Sequence, residues 1–160
     1  MHKLLEEVLT GETPDSAAAI ETRARALLAQ LAMPEAAGPE RGPHAPELAA
    51  AVMRALTLPA VAALRPRLQP EMTVFAVQCD AKQTNYVGGV ADALAYDASG
   101  FVDTVIDWKT DVDPGARQVD QYRAQLRDYL DATGAKRGLL VFVSSGLVLD
   151  VEGRAASMAA

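Results

Sequence analysis

The spacing of apolar residues changes near Pro70, and this change divides the chain into two parts. Before this proline, apolar residues recur every three to four positions, which is the period of a helix with one buried face. After it, short runs rich in valine, isoleucine and aromatic residues are typical of strands. We therefore expect one domain over residues 1–160, with a helical part at 1–70, an α/β part at 71–150 and a tail at 151–160.

The helical part is predicted to hold three helices separated by prolines. The first has one apolar face, formed by Leu4, Leu5, Val8 and Leu9. The second opens at Thr13-Pro14, with Thr13 as the cap and Pro14 in the first helical position, and it ends before Pro34. Prolines and glycines crowd residues 34–46, which indicates a loop. A third helix is expected from Pro46 to Leu56, followed by an irregular stretch to Pro70.

Three strands, one helix and a fourth strand are predicted after this point. The first three strands are Thr73–Cys79, Val87–Tyr96 and Phe101–Lys109. The helix is expected from Pro114 to Ala132, with Gly134 as its stop. The apolar run Arg137–Val143 then forms a buried strand. The predicted class is therefore α/β, with the order α-βββ-α-β and a helical N-terminal portion.

Composition narrows the possible functions without defining one. No run approaches 18 apolar residues and the N-terminus lacks a secretory signal, so we expect a cytoplasmic protein with no membrane association. The single cysteine, Cys79, excludes an internal disulfide and any cluster that needs several cysteines. The net charge of −6 argues against a protein that binds nucleic acid mainly through its overall charge. It does not exclude an enzyme whose carboxylates bind a metal that reverses the local sign.

The strongest chemical signal is the end of the third predicted strand. Alternate residues of a strand share a face, so Asp107 and Lys109 point the same way. The opposite face is formed by Val102, Thr104, Ile106 and Trp108. Such a strand buries one face and carries a carboxylate and an amine at the end of the other. Two interpretations fit this pattern: a site that carries out chemistry, or, more simply, a surface ion pair at a strand end.

A second carboxylate, Asp92, favours a chemical site over a surface ion pair. It lies on the preceding strand, and a hairpin that turns near Gly100 places it about opposite Asp107. Two carboxylates at that distance repel each other unless a positive group lies between them, and a hard divalent cation with oxygen ligands fits. Lys109 would then be close enough to orient a water molecule. The alternative is that Asp92 is an exposed residue beside a bulge.

Two helices supply further candidates. On the helix over 114–132, one polar stripe lies beside the apolar one and is formed by Gln118, Tyr122, Gln125 and Tyr129. This stripe could be an ordinary amphipathic edge, although Gln125 fits that interpretation poorly. On the first helix, His2 and Glu6 share a face, and histidine is a frequent metal ligand.

These residues resemble the RecB-like branch of the PD-(D/E)XK nucleases, a branch that includes the C-terminal nuclease domain of RecB/AddA-type helicase–nucleases. Four motifs occur in the order that the family shows, and together they span residues 2–129. They read H-x-x-x-E at His2 to Glu6, G-x-x-D at Gly89 to Asp92, D-W-K-T at Asp107 to Thr110, and Q-x-x-x-Y at Gln125 to Tyr129. Each motif is weak alone, and the ordered set is specific.

The resemblance implies a restriction-endonuclease-like core and a role for each matched residue. Asp92, Asp107 and the Trp108 carbonyl would hold Mg²⁺ or Mn²⁺, and His2 would complete or tune this metal site. Lys109 would orient the attacking water. Gln125 and Tyr129 would position the lysine or contact the DNA backbone. The implied activity is Mg²⁺-dependent, exonuclease-like hydrolysis of phosphodiester bonds in single-stranded DNA or duplex ends, in repair or recombination, with a helicase domain or subunit as partner.

The sequence departs from the family pattern at three points. Family members often carry a glutamate in the first core strand, where this chain has Val77-Gln78. Trp108 replaces the commoner tyrosine, and the glycine-rich residues that usually precede the histidine motif are missing. Two other interpretations stay open: a non-catalytic DNA-binding or scaffolding module that retains the fold, and a nuclease from a phage or CRISPR-associated system.

Overall fold

A five-stranded sheet forms the centre of the molecule. The computed structural model describes residues 1–79 and 84–153, without the side chains of 76–79 and 84–87. The strands are β1 (Leu68–Cys79), β2 (Thr84–Tyr96), β3 (Val102–Lys109), β4 (Arg137–Phe142) and β5 (Leu147–Glu152). They lie side by side in chain order, β1-β2-β3-β4-β5. Only the β3–β4 pair is parallel within the described sheet, and this pair requires the helical crossover between them.

Five helices cover the two faces of this sheet in the described part of the chain. They are α1 (His2–Thr10), α2 (Ala17–Gln30), α3 (Ala45–Thr57), α4 (Pro59–Ala62) and α5 (Ala116–Thr133). Short 3₁₀ turns occupy Pro39–Arg41 and Arg65–Arg67. The order of elements confirms the predicted α-βββ-α-β arrangement and the helical N-terminal portion, and it adds β5 at the edge.

Two apolar cores lie on opposite sides of the sheet. The first core packs α1 to α3 against the sheet through small and aliphatic side chains, among them Leu5, Ile20, Ala49, Val52, Ile106 and Trp108. The second core packs α5 against the other face through Leu126, Leu130, Val105, Leu140 and Phe142. Because aromatic residues are few, alanines supply close helix contacts in the first core. The sheet is therefore buried on both faces, and β3 runs through its middle.

The helix boundaries follow local capping chemistry, and two predicted starts are wrong. The second helix begins at Ala17 because the Ser16 hydroxyl accepts a hydrogen bond from the Ala19 N–H at 3.3 Å. Thr13 does not cap it; its buried hydroxyl donates to Glu7 Oε2 at 2.9 Å instead. The helix after β3 is capped by Gly115 rather than starting at Pro114. Its predicted stop is confirmed, since Gly134 adopts a left-handed conformation with φ of 73°.

The strand predictions fail mainly at the edges of the sheet. The segment before Pro70 was expected to be irregular, but it contains α4, a 3₁₀ turn and the start of β1 at Leu68. The edge strand β5 was missed, and it ends inside the predicted tail, whose residues 154–160 lie outside the described residues. The apolar residues Leu147, Val148, Leu149 and Val151 do indicate a strand, but only Val151 is buried because β5 lies at the edge of the sheet.

One residue of β3 faces the side opposite to its predicted side. Val102 packs against the second core, whereas Ile106 and Trp108 belong to the first. The pairing of β2 with β3 is irregular between Ala95 and Tyr96. An extra residue in one strand reverses the alternation of side chains beyond it, which accounts for the inverted side of Val102.

In the described residues, no single helix has both the length and the apolar character to cross a membrane. The segments Ala45–Thr57 and Pro59–Arg67 reach that length only together, across a bend of 65°. Their apolar residues Ala49, Val52 and Val61 lie in the first core.

The contact between α1 and α2 depends on a buried carboxylate with a charged partner. Arg23 donates two hydrogen bonds of 2.7 Å to Glu7, and Thr13 donates a third. Burial raises the pKa of Glu7 less than the Arg23 hydrogen bonds lower it, so the pKa stays below its usual value. This ion pair fixes the helix that carries His2.

We predict that Arg23→Ala lowers the free energy of unfolding by about 3 kcal/mol, because it leaves a buried carboxylate without its cation. Arg25→Ala is the matched control, since Arg25 pairs with Glu21 and Glu35 on an exposed surface. Its loss should cost less than about 1 kcal/mol. Urea unfolding measures both values, and equal effects of the two substitutions would contradict the structural role of Glu7.

Candidate metal and catalytic centre

The candidate site lies where β2 separates from β3. The pairing of these strands ends at Ala93 and Ile106, and one position further Asp92 and Asp107 face each other. The N–H and the C=O of a strand residue point to the same side, so Trp108 presents both groups towards the gap left by β2. The Asp92 side chain takes the place of the missing strand, since its Oδ2 accepts a 2.7 Å hydrogen bond from the Trp108 N–H.

The N-terminus of α1 closes the gap from the other side. His2 Nε2 donates a 2.8 Å hydrogen bond to the Trp108 carbonyl oxygen. The same nitrogen lies 3.5 Å from Asp92 Oδ2, which is an ion-pair distance rather than a second hydrogen bond. The neighbouring Asp92 carboxylate raises the pKa of His2, against the lowering effect of partial burial. His2 Nε2 therefore lies against the two oxygen atoms, of Asp92 and of the Trp108 carbonyl, that a cation would use.

Asp107 is the buried member of the carboxylate pair. Its residue is only 5% exposed. Lys109 Nζ lies 2.8 Å from its Oδ2 atom, but the angles are not those of a hydrogen bond, and among the described residues this buried oxygen has no hydrogen-bond partner. The Lys109 ammonium therefore offsets part of the cost of burying this charge, but the oxygen still lacks a hydrogen bond.

The two carboxylates titrate in opposite directions. Burial raises the pKa of Asp107 to about 6, with a further rise from Asp92 and an opposing effect from Lys109. Burial also raises the pKa of Asp92, but hydrogen bonds from His2 and the Trp108 N–H outweigh it and keep that pKa below the usual value. Asp92 is thus kept charged, whereas Asp107 gains its charge only near pH 6.

These donors fit a hard divalent cation. The described residues contain no cluster of three or more His, Cys, Asp or Glu side chains arranged to hold a metal. The set here is two carboxylates, one backbone carbonyl and a histidine nitrogen that now bonds to that carbonyl. Carboxylate and carbonyl oxygens are the ligands that Mg²⁺ and Mn²⁺ use, and the buried Oδ2 atom of Asp107 has no hydrogen bond that a cation would have to displace.

Lys109 is held in place from the helix side. Its ammonium group donates a hydrogen bond of 3.3 Å to Gln125 Oε1 on α5. The same nitrogen lies 4.2 Å from the centre of the Tyr122 ring, which is a cation–π distance. Gln125 therefore meets the lysine as the sequence led us to expect, and Tyr122 does so as well.

A polar network fixes Tyr122, and it includes one residue that the sequence analysis missed. The Tyr122 hydroxyl donates to Asp111 Oδ2 at 2.8 Å, and Gln118 Nε2 donates to Asp111 Oδ1 at 2.8 Å. Gln118 Nε2 also donates to the Tyr122 hydroxyl at 2.6 Å. The polar stripe on α5 had identified Gln118 and Tyr122 as candidates. Asp111, two residues after Lys109, was not identified, and it is the residue that both of them contact.

Tyr129 contacts β2 rather than Lys109. Its hydroxyl donates a 3.0 Å hydrogen bond to the Val90 carbonyl. A Cβ atom at Gly89 would lie 2.9 Å from this hydroxyl, so the close approach of α5 to β2 requires glycine at position 89. Beside this contact is a cavity of about 150 Å³ that Gln125 and Asp128 also line.

Other residues that the sequence singled out lie outside the centre. Glu6 forms an ion pair of 2.9 Å with Lys3 on the surface of α1. The side chains of Val77 and Gln78, at the position where relatives carry a glutamate, lie outside the described ones.

The fold is an α/β domain with paired carboxylates beside a lysine at the end of its central strand. The sequence matches the PD-(D/E)XK nuclease superfamily over residues 1–155. The chain belongs to this superfamily, and its mixed α/β structure with a five-stranded sheet is consistent with the restriction-endonuclease-like fold.

Similarity to individual proteins is distant. No curated protein matches the chain significantly. Among solved structures, the crystal structure of SSO0001 is similar at 16% identity and a TM-score of 0.47. The match covers 93% of this chain and 66% of that one.

We predict that Asp107→Asn stabilises the metal-free protein at pH 7.5. The pKa of Asp107 is raised to about 6, so the wild type loses stability as pH rises from about 4 to about 6, when the buried carboxyl becomes charged. The variant avoids this loss, which amounts to at most about 3 kcal/mol for a rise of about two units. Urea unfolding in EDTA at pH 4 and pH 7.5 measures the difference, which should vanish at the lower pH.

Asp150→Asn is the control for this measurement, since Asp150 forms an exposed ion pair with Arg137. It should change the free energy of unfolding by less than about 1 kcal/mol at both pH values. If Asp107→Asn were less stable than the wild type at pH 7.5, the buried charge of Asp107 would not be destabilising, which would contradict this prediction.

We predict that the aromatic ring of Tyr122, more than its hydroxyl, positions Lys109. Tyr122→Phe keeps the cation–π contact and should retain most of the proposed nuclease activity. Tyr122→Leu removes the contact and should lower kcat about tenfold at unchanged KM, in line with the usual strength of a partly buried cation–π pair. Kinetics on a labelled oligonucleotide give both constants. Equal activity of the Phe and Leu variants would exclude this role.

Proposed function

We propose that this chain is a metal-dependent DNA nuclease domain that hydrolyses phosphodiester bonds. The observation that carries the proposal is the buried carboxylate pair: Asp107 faces Asp92, and its Oδ2 atom lies 2.8 Å from Lys109 Nζ but accepts no hydrogen bond from the described residues. Two carboxylates and one lysine leave an excess of negative charge at this buried position. A divalent cation at this position would satisfy that oxygen and relieve the repulsion between the carboxylates.

In the proposed site, Asp92, Asp107 and the Trp108 carbonyl hold Mg²⁺ or Mn²⁺. When bound, the cation offsets negative charge on the phosphate and acidifies water. His2 completes or tunes the site, which requires that its Nε2 atom release the Trp108 carbonyl. Asp107 orients Lys109, and Gln125 and the Tyr122 ring keep the lysine amine in the cleft.

Lys109 and Tyr129 have separate tasks in this proposal. Lys109 orients the attacking water and stabilises charge on the phosphate in the transition state. Tyr129 ties α5 to the backbone of β2 at Val90, two residues before Asp92, and so sets the spacing between helix and metal site. Gln125 is exposed enough to meet the DNA backbone as well as Lys109.

The wider assignment rests on the four ordered motifs. We propose a RecB/AddA-like, exonuclease-like domain spanning residues 1–160 that acts on single-stranded DNA or duplex ends in repair or recombination. A helicase domain or subunit would deliver the DNA, because a chain with a net charge of −6 gains little affinity for DNA from overall charge. We expect it to work in the cytoplasm.

A second candidate is a non-catalytic DNA-binding module that retains the fold. The hydrogen bond from His2 to the Trp108 carbonyl is compatible with it, since this bond satisfies the carbonyl without a cation. The presence of Asp92, Asp107 and Lys109 favours catalysis, because a binding module would not need a buried carboxylate with a raised pKa beside a lysine.

Digestion of labelled single- and double-stranded DNA with Mg²⁺, Mn²⁺ or EDTA tests the proposal. We expect cleavage that needs the metal and that falls at least about 100-fold in Asp107→Ala and in Lys109→Ala, since each 1.36 kcal/mol of lost transition-state stabilisation is tenfold in rate. The control is Asp150→Ala, which changes a carboxylate on the exposed side of β5.

Cleavage that survives both substitutions would place the reaction elsewhere or reveal a contaminant. DNA binding without metal-dependent cleavage would favour the non-catalytic module instead.

A further inference from the structure

We propose that Glu71 is a positioning residue, which directs the Asp92 carboxylate into the metal site through the conformation of its own backbone. Glu71 lies inside β1 and has a φ of 53°, in the left-handed region that residues with a side chain rarely adopt. Such strain persists only where the surrounding structure enforces it, and it is frequent at functional sites. This inference rests on the proposed function and adds a residue outside the four motifs.

Glu71 lies directly opposite Asp92 in the β1–β2 hairpin. The register of the two strands runs without a shift from Leu68 to Cys79 of β1, and it places Glu71 across from Asp92. Along these described strands, the ladder is interrupted only between these two residues. Pro70, which has no N–H to donate, comes directly before the interruption. The hairpin is therefore broken at the residue that carries a carboxylate of the proposed site.

Both strands turn over at this interruption. In a regular strand, residues an even number of positions apart face the same side of the sheet. On β2, however, Ala93 packs in the first core and Ala91 in the second. On β1, Leu68 packs in the first core, whereas Met72 packs against the second. Because the alternation reverses in both strands without an extra residue, the reversal comes from the backbone of the two unpaired residues.

The reversal directs the Asp92 carboxylate towards β3. In a regular strand the Asp92 side chain would alternate with Ala93 and project from the α5 face of the sheet. At the turning point it reaches the plane of the sheet instead, because the Trp108 N–H that donates to its Oδ2 atom at 2.7 Å lies in that plane. The left-handed conformation of Glu71 therefore positions a ligand of the proposed metal site.

The backbone of Glu71, rather than its carboxylate, has this role. The side chain is exposed, and among the described residues it forms no hydrogen bond or ion pair. Packing holds the conformation from both sides, since Leu68 belongs to the first core and Val74 to the second. A residue that accepts a positive φ should thus replace the glutamate, whatever its charge.

The test compares substitutions that differ in their tolerance of a positive φ. Glycine adopts this conformation without a steric cost and asparagine tolerates it, whereas the β-branched valine does not. Glu71→Gly and Glu71→Asn should therefore retain the site, and Glu71→Gly should also raise the Tm because it relieves the strain. Glu71→Val should displace Asp92.

Hydrogen exchange of the Trp108 amide, followed by NMR in EDTA, reports the position of Asp92 without metal or DNA. The amide should stay protected in the wild type, Glu71→Gly and Glu71→Asn. It should exchange about tenfold faster in Glu71→Val, as for the loss of one hydrogen bond to a charged group. Calorimetry of Mn²⁺ should give the same order, with binding about tenfold weaker in Glu71→Val, as is usual when a metal ligand loses its orienting partner.

Gln69 supplies the matched control. It is exposed on the same strand, pairs with Leu94 and has an ordinary φ. At this regular position the order should reverse, so that Gln69→Val keeps or raises the Tm and Gln69→Gly lowers it. Neither control should change the exchange of the Trp108 amide or the affinity for Mn²⁺.

Three results would overturn the inference. The first is loss of Trp108 protection in a Glu71→Gly protein that remains folded by circular dichroism, since the glutamate side chain would then hold Asp92. The second is full protection in a folded Glu71→Val. The third, which decides the matter if Glu71→Val does not fold, is a lower Tm for Glu71→Gly than for the wild type. If the exchange pattern is as expected but the wild type binds no Mn²⁺, only the metal assignment fails.

Discussion

The hydrogen bond from the Trp108 N–H to the Asp92 carboxylate is the interaction on which the centre depends. Where β2 leaves β3, a buried strand residue would keep two backbone groups without partners, and such groups are costly. The Asp92 side chain takes the N–H and His2 takes the C=O. The same replacement holds Asp92 opposite Asp107 and directs the Trp108 carbonyl into the gap. A break in the sheet thus becomes a cluster of oxygen atoms.

This arrangement has a cost that falls on Asp107. Burial and the nearby Asp92 raise its pKa to about 6, and Lys109 offsets the effect only in part. Stability and the proposed function therefore oppose each other at Asp107, as is common where a site needs a preformed charge. The surrounding structure resists the strain: the ion pair of Glu7 with Arg23 fixes α1, and the second core fixes α5.

The sequence predicted the central elements well because their patterns are local. Alternation on β3 placed Asp107 with Lys109, and the hairpin length placed Asp92 opposite Asp107. The edges were predicted less well: β5 was missed although its sequence LVLDVE is largely apolar, and Ser16 rather than Thr13 caps the second helix. Contacts between distant segments could not be predicted from spacing at all. One example is the hydrogen bond of Tyr122 to Asp111, and another is the contact of Tyr129 with Gly89. Both depend on how α5 packs against the sheet, which no single stretch of sequence determines.

Titration calorimetry of Mn²⁺ at pH 7.5 tests the central claim most directly, because it asks for the cation without requiring DNA or turnover. The account predicts one Mn²⁺ site in the wild type, lost in Asp92→Asn and in Asp107→Asn and retained in Asp150→Asn. Binding should release protons from His2, whose pKa the Asp92 carboxylate raises, and this release appears as a dependence of the measured heat on the buffer. Wild-type protein that binds no Mn²⁺, or variants that bind it as tightly as the wild type, would contradict the assignment of these oxygen atoms to a metal site.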